Sequence, residues 1–130
     1  MNIEVNKLTS DKTDVRFLKK VAEKTTKLVK LKISDLSIAV VCDARMKGLN
    51  KKHLNKNKTT DVLAFDYGEI VICLPQAKRQ AKEFNLSTKQ ELATLLIHGI
   101  LHLSGYDDGT KKDFNKMKIK QEGIWQKIKS

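Results

Sequence analysis

Long apolar runs are absent from this chain. No stretch reaches the roughly 18 to 20 consecutive apolar residues that a membrane-spanning helix needs. The opening MNIEVNKLTSDK has neither the basic start nor the apolar run of a secretory signal. A cytoplasmic protein with no membrane partner is expected. Cysteine is scarce as well. Cys42 and Cys73 each sit in a β-like run, SIAVVCD and EIVICL, with no His or Cys nearby at ligand spacing. That arrangement predicts two buried thiols and argues against a disulfide or a redox pair. Proline occurs once, at Pro75, and the six glycines are scattered singly, which leaves no linker, repeat or low-complexity tract. Arginine is nearly missing: of 26 Lys plus Arg, only Arg16, Arg45 and Arg79 are arginines, so 26 − 3 leaves 23 lysines.

What is present is charge of one sign. The formal net charge is +11, which favours a polyanionic partner because a positive field concentrates phosphates. Lysine is the weaker residue for bidentate phosphate recognition, so the charge alone also fits a general compositional bias. With 130 residues and 40% apolar composition, the chain fits one domain, 1–130, with a real hydrophobic core.

Patterning along the chain predicts a strand at 2–6 and an amphipathic helix at 13–31, with Val15, Leu18, Val21, Ala22, Leu28 and Val29 on one face. A buried strand follows at 36–42 (LSIAVVC), then a short helix from Asp43 through 49 and a polar loop over 51–60. DVLAF (61–65) and EIVIC (69–73) flank Tyr67-Gly68 as a hairpin. Helices are expected at 75–85, 89–103 and 110–128. The order βαβαββααα makes an α+β domain, a small mixed four-stranded sheet covered by about five helices.

The helix at 89–103 carries the chemistry. Thr88 is the expected cap, with Glu91 completing a capping box, and Leu92, Leu95, Leu96, Gly99 and Leu103 form the core stripe. His98 and His102 stand four residues apart, so both imidazoles leave one face a turn apart. Gly105 ends the helix, and Tyr106-Asp107-Asp108 brings a carboxylate back towards the pair. Two of the three histidines in the chain are in this pattern, H-x-x-x-H-x-x-G-x-x-D. Two imidazoles and a carboxylate at these spacings are a mononuclear zinc-type site, His98, His102 and Asp108, with one coordination position left open. The spacing is that of the extended zinc-peptidase motif, but such peptidases place a glutamate general base directly after the first histidine. Gly99 stands there, so a peptidase lacks its base.

Around this core the roles are plainer. Asp107 is expected to cap the loop or support the ligand beside it, and Tyr106 to pack over the site or stabilise the turn. Thr60 and Asp61 open the DVLAF strand as a turn motif, or else line a cleft opposite the metal. The lysines at 111, 112, 116, 118, 120, 127 and 129 read as the wet face of the last helix, with Trp125 as its core anchor.

The segments LNKKHLNKNKTTDVLAF (49–65), GEIVI (68–72) and LLIHGILHLSGYDD (95–108) make the sequence resemble the YbeY family, with Met117 and the last helix in register. Members are metal-dependent, single-strand-specific endoribonucleases of bacterial rRNA maturation. The family signature H-G-x-L-H-L-x-G-Y-D-H is met at ten of eleven positions, over a resemblance spanning about 36–128. The resemblance implies processing of the 3′ end of small-subunit rRNA, one zinc ion per chain, and rRNA, the ribosomal subunit and ribosomal proteins as partners. Three departures stand out. The third family histidine is Asp108 here, whose harder oxygen admits other divalent transition metals. The family arginine that faces substrate is Leu54, leaving Lys52, His53 and Lys56 as candidate phosphate contacts. DVLAF and GEI replace D-V-L-S-F and G-D-I. Leu54 and Asp108 also keep a second reading open: a non-catalytic RNA- or ribosome-binding assembly factor with a structural metal.

Overall fold

The structure, a computed structural model, describes residues 1–54 and 60–129. Lys56, one of the expected substrate contacts, lies outside the described residues. The elements are β1 (Asn2–Leu8), α1 (Val15–Val29), β2 (Asp35–Val41), α2 (Asp43–Leu54), β3 (Val62–Phe65), β4 (Glu69–Cys73), α3 (Leu74–Glu83), α4 (Thr88–Leu103) and α5 (Lys111–Lys129). They make the α+β domain that the patterning predicts, with four strands in the order β1-β2-β4-β3 and five helices among the described residues. No described helix is long and apolar enough to cross a membrane.

β1 and β2 are parallel, as are β2 and β4, so α1 serves as the crossover that a parallel pair requires. β3 turns back on β4 in the register Phe65↔Glu69, which makes it the edge strand. Gly68 closes that hairpin at φ +105°, and a Cβ there would meet the Asp35 carbonyl oxygen at 2.6 Å. The turn therefore needs glycine for both conformation and space.

Strand alternation splits the core in two. Ile38, Val40, Ile70 and Ile72 face α1 and α4 in the main cluster. Ala39, Val41, Val71 and Cys73 face the other way and meet Met46 of α2. α4 lies against β3, β4, α1, α3 and α5, and is buried nearly all round. Ala93, Ile97, Ile100 and Leu101 join the expected stripe, while Leu103 is only half-buried.

Four local expectations need correction. Leu28, expected on the core face of α1, is exposed; the stripe runs instead through Thr25 and Thr26. Their hydroxyls donate to the carbonyls of Val21 (2.7 Å) and Glu23 (3.0 Å), so they bury without an unpaired donor. α2 does not stop at 49 but runs to Leu54, absorbing the start of the expected loop. Its last turn carries Lys51, Lys52 and His53, which complement the negative end of a helix. The cap of α4 is Ser87, which accepts from the Gln90 N–H at 3.1 Å, and not Thr88. Glu91, one residue past the capping-box position, turns inward. Finally, Cys73 is buried but Cys42 only half so; both are free thiols. Burial, with a hydrogen bond to Asp43, pushes the Cys73 thiol up to about 12.

Candidate metal centre

His98 and His102 occupy successive turns at the C-terminal end of α4, the most enclosed helix of the fold. Their Nε2 atoms are 3.1 Å apart and the rings stand edge to face at 76°. The helix closes with paired bonds: the Gly105 N–H to the His102 carbonyl and the Tyr106 N–H to that of Leu101, both 3.0 Å. This closure requires Gly105 at φ +98° and reverses the chain over the helix end. Tyr106 then packs on the core, as a residue following such a cap commonly does. Asp107 uses its Oδ1 to accept from the Asp108 (2.8 Å) and Gly109 (3.2 Å) N–H groups. It is the loop cap, exposed, and it fixes the backbone from which Asp108 projects.

Asp108 Oδ2 consequently lies 3.5 Å from His98 Nε2 and 3.6 Å from His102 Nε2. The three donor atoms form a closed triangle within a 4.8 Å limit, the only such group of three or more among the described residues. Its edges can be tested against a metal. Bonds of about 2.0–2.1 Å at tetrahedral angles separate neighbouring ligand atoms by about 3.3 Å. Edges of 3.1, 3.5 and 3.6 Å bracket that length, so the residues present fit a three-ligand ion. The side chains are 22%, 31% and 36% exposed, enough for a reactant to reach the fourth vertex.

One supporting residue belongs to no motif in the sequence. Gln121, on α5, places its Oε1 2.8 Å from His98 Nδ1. An amide oxygen only accepts, so Nδ1 holds the proton and Nε2 keeps its lone pair for a metal. Met117 and Ile124 are the buried positions of α5, and Gln121 is in phase with both. A polar residue on a buried stripe is the one clue the sequence offered.

Gly99 has a packing reason. A Cβ there would meet Ile70 Cγ2 at 2.9 Å, so α4 lies closer to β4 than any side chain permits. The position that holds the peptidase glutamate thus faces the sheet with no room for one.

Two openings meet at the triangle. On the β3 side, Thr60, Asp61, Ala64 and Asp66 line a cleft with His98, His102 and Asp108. Asp61 lines the cleft, and its Oδ1 accepts from the adjacent Val62 N–H at 2.8 Å, one residue short of the reach of the expected turn motif. On the other side, a groove between α3, α4 and α5 takes in Gln80, Glu91, Phe84, Phe114 and Trp125. Glu91 is buried and accepts from Gln80 Nε2 at 2.7 Å, and the same amide reaches Asp61 Oδ2 at 3.4 Å. Burial raises the Glu91 carboxyl above its usual range, the Gln80 N–H opposes this, and the Asp61 charge adds to it. Trp125 is half-buried, edge to face with Phe17 at 6.5 Å, and anchors α5. The seven lysines of α5 are all exposed.

Lys52 and His53 are exposed on the last turn of α2 and do not line the cleft; His53 instead rests on Phe65, ring centroids 4.9 Å apart.

Comparison with known proteins fits this geometry. A family model described as Endoribonuclease YbeY matches residues 2–129, extending the resemblance to the first strand. A protein of Persephonella marina named Endoribonuclease YbeY is 35% identical, over 98% of this chain and 93% of its own length. One of the same name from Thermotoga maritima is also 35% identical, over 88% of this chain and 85% of its own. A solution structure of a Thermotoga maritima protein superposes with a TM-score of 0.64 at 31% identity, covering 98% of this chain and 91% of that one.

Proposed function

Because this chain belongs to the family described as Endoribonuclease YbeY, we propose that residues 1–130 form a single metal-dependent ribonuclease domain that cleaves single-stranded RNA at the His98–His102–Asp108 triangle. The substrate we assign is small-subunit rRNA, matured at its 3′ end in the cytoplasm, with the ribosomal subunit and its proteins as partners. The triangle carries this reading: three ligand atoms at metal spacing, part-exposed where two openings meet.

We assign one zinc ion per chain, and the Asp108 oxygen admits other divalent transition ions. Such an ion would polarise a phosphoryl oxygen and lower the pKa of a water. The remaining work falls to the chain. Gln121 holds His98 in the tautomer that presents Nε2. Asp107 fixes the loop that presents Asp108. Thr60 and Asp61 stand on the cleft wall facing the triangle, where a hydroxyl and a carboxylate can orient the ribose and the attacking group. Lys52 and Lys56 supply positive charge, and His53 a ring N–H, for flanking phosphates in place of the arginine that Leu54 replaces, helped by the net charge of +11.

The test is a cleavage assay on single-stranded rRNA with and without chelator, beside the His102→Ala variant. Chelator-sensitive cleavage that the variant lacks supports the enzyme. Leu54 and Asp108 favour a second reading, an assembly factor that binds RNA around a structural metal, and RNA binding without any cleavage selects it.

A further inference from the structure

The edge strand β3 presents two faces. Ala64 and Asp66 line the cleft beside the triangle, while Phe65 packs towards Met46 of α2 on the far side of the sheet. There the rings of Phe65 and Tyr67 stack, 14° from parallel with centroids 5.6 Å apart. His53 lies against the other side of this pair, 4.9 Å from Phe65 and tilted by 60°. Tyr67 is 73% exposed, and His53 is exposed too. The Tyr67 hydroxyl donates to Glu69 Oε1 at 2.9 Å, which fixes the ring against Phe65. In a chain with 5% aromatic residues, a three-ring cluster with two exposed rings, one residue removed from the cleft, calls for an occupant.

Charge separates this face from the alternative path. α2 carries Arg45, Lys47, Lys51 and Lys52 against Asp43, which is already bound by Arg79 at 2.8 Å, and these cations outnumber the two carboxylates that flank the rings, Asp66 and Glu69. The α3–α5 groove on the other side of His98 is lined by Asp61, Glu83, Glu91 and Glu122 against Lys118. Phosphates are attracted to the first path and repelled by the second.

We propose that His53, Phe65 and Tyr67 are a stacking platform for unpaired bases of the RNA strand as it leaves the cleft over β3, with α2 holding its phosphates. The assignment rests on the endoribonuclease reading and adds a source for its preference for single strands. Unpaired bases are free to stack on protein rings, whereas bases in a duplex already stack on one another. Phe65 also packs on α2, so the probe is the exposed ring.

Binding is measured by fluorescence anisotropy with a single-stranded 2′-O-methyl oligoribonucleotide and with an abasic oligomer of equal phosphate count. Tyr67→Ala should weaken the base-bearing oligomer about fivefold and leave the abasic one unchanged. Tyr67→Phe should bind like the parent. No effect of Tyr67→Ala on the base-bearing oligomer, or an equal loss on the abasic one, overturns the platform while parent cleavage leaves the enzyme reading intact. A parent protein that neither binds nor cleaves single-stranded RNA overturns both.

Discussion

Replacing Gln121 by Met keeps the volume and apolar contact of the side chain and deletes the acceptor for His98 Nδ1–H. The imidazole then has two options. It can leave that N–H unpaired in a half-buried position, at a cost of about 1–3 kcal/mol. Or it can move the proton to Nε2, which removes the lone pair that the triangle needs. Either way the cost falls on the metal-bound form, whose other two ligand atoms lie 3.1 and 3.5 Å from His98 Nε2. Outer hydrogen bonds of this kind are worth about 10- to 100-fold in metal affinity, or about 1.4–2.7 kcal/mol. Competition against a chromophoric zinc chelator reads this loss directly, without any assay of activity. Gln121→Glu, which restores an acceptor, should recover parent affinity, and Glu122→Gln, at the exposed neighbour, should leave it unchanged. Parent-like zinc affinity in Gln121→Met, with the fold intact by circular dichroism, refutes the reasoning.

Gly99→Ala forces a Cβ to within 2.9 Å of the Cγ2 methyl of the fully buried Ile70, and should destabilise the protein by about 1–3 kcal/mol in urea unfolding. Glu91 gives a pH signature. A carboxyl whose pKa is raised by folding adds stability below its unfolded pKa and loses it as pH rises through the folded value. Glu91→Gln keeps an acceptor for Gln80, so its Tm relative to the parent should climb from about pH 4 to neutrality, and a difference flat with pH excludes this account. Asp108→His exchanges an oxygen for a nitrogen ligand, so the ratio of zinc to manganese affinity, measured by the same chelator competition, should rise. An unchanged ratio would mean that Asp108 does not bind the ion.

The parts of the fold legible in the sequence are those where one periodicity decides the outcome. Val40 and Ile72 had to be buried whatever lay beside them, and β3 and β4 had to meet because Gly68 is the only residue type its turn tolerates. His98 and His102 were legible for the same reason: four residues on a helix fix a direction. Where tertiary contact decides, the pattern misleads. Leu28 looked like core, but α1 turns Thr25 and Thr26 inward because their hydroxyls bond to its own carbonyls. Glu91 looked like a cap, but Ser87 already fills that role and Gln80 waits 2.7 Å away on α3. Gln121 is the sharpest case. It lies 23 residues beyond His98 in the chain, on a helix whose docking angle sets whether the two meet, and no local rule reaches that far. A motif therefore locates the ligands, while the residues that tune them sit on whichever element packs across, here α5. It follows that Asp108, the departure from the family pattern within the ligand set, must be judged by what surrounds it: a site already oriented by Gln121 and Asp107 can accept a carboxylate as its third ligand without losing its shape.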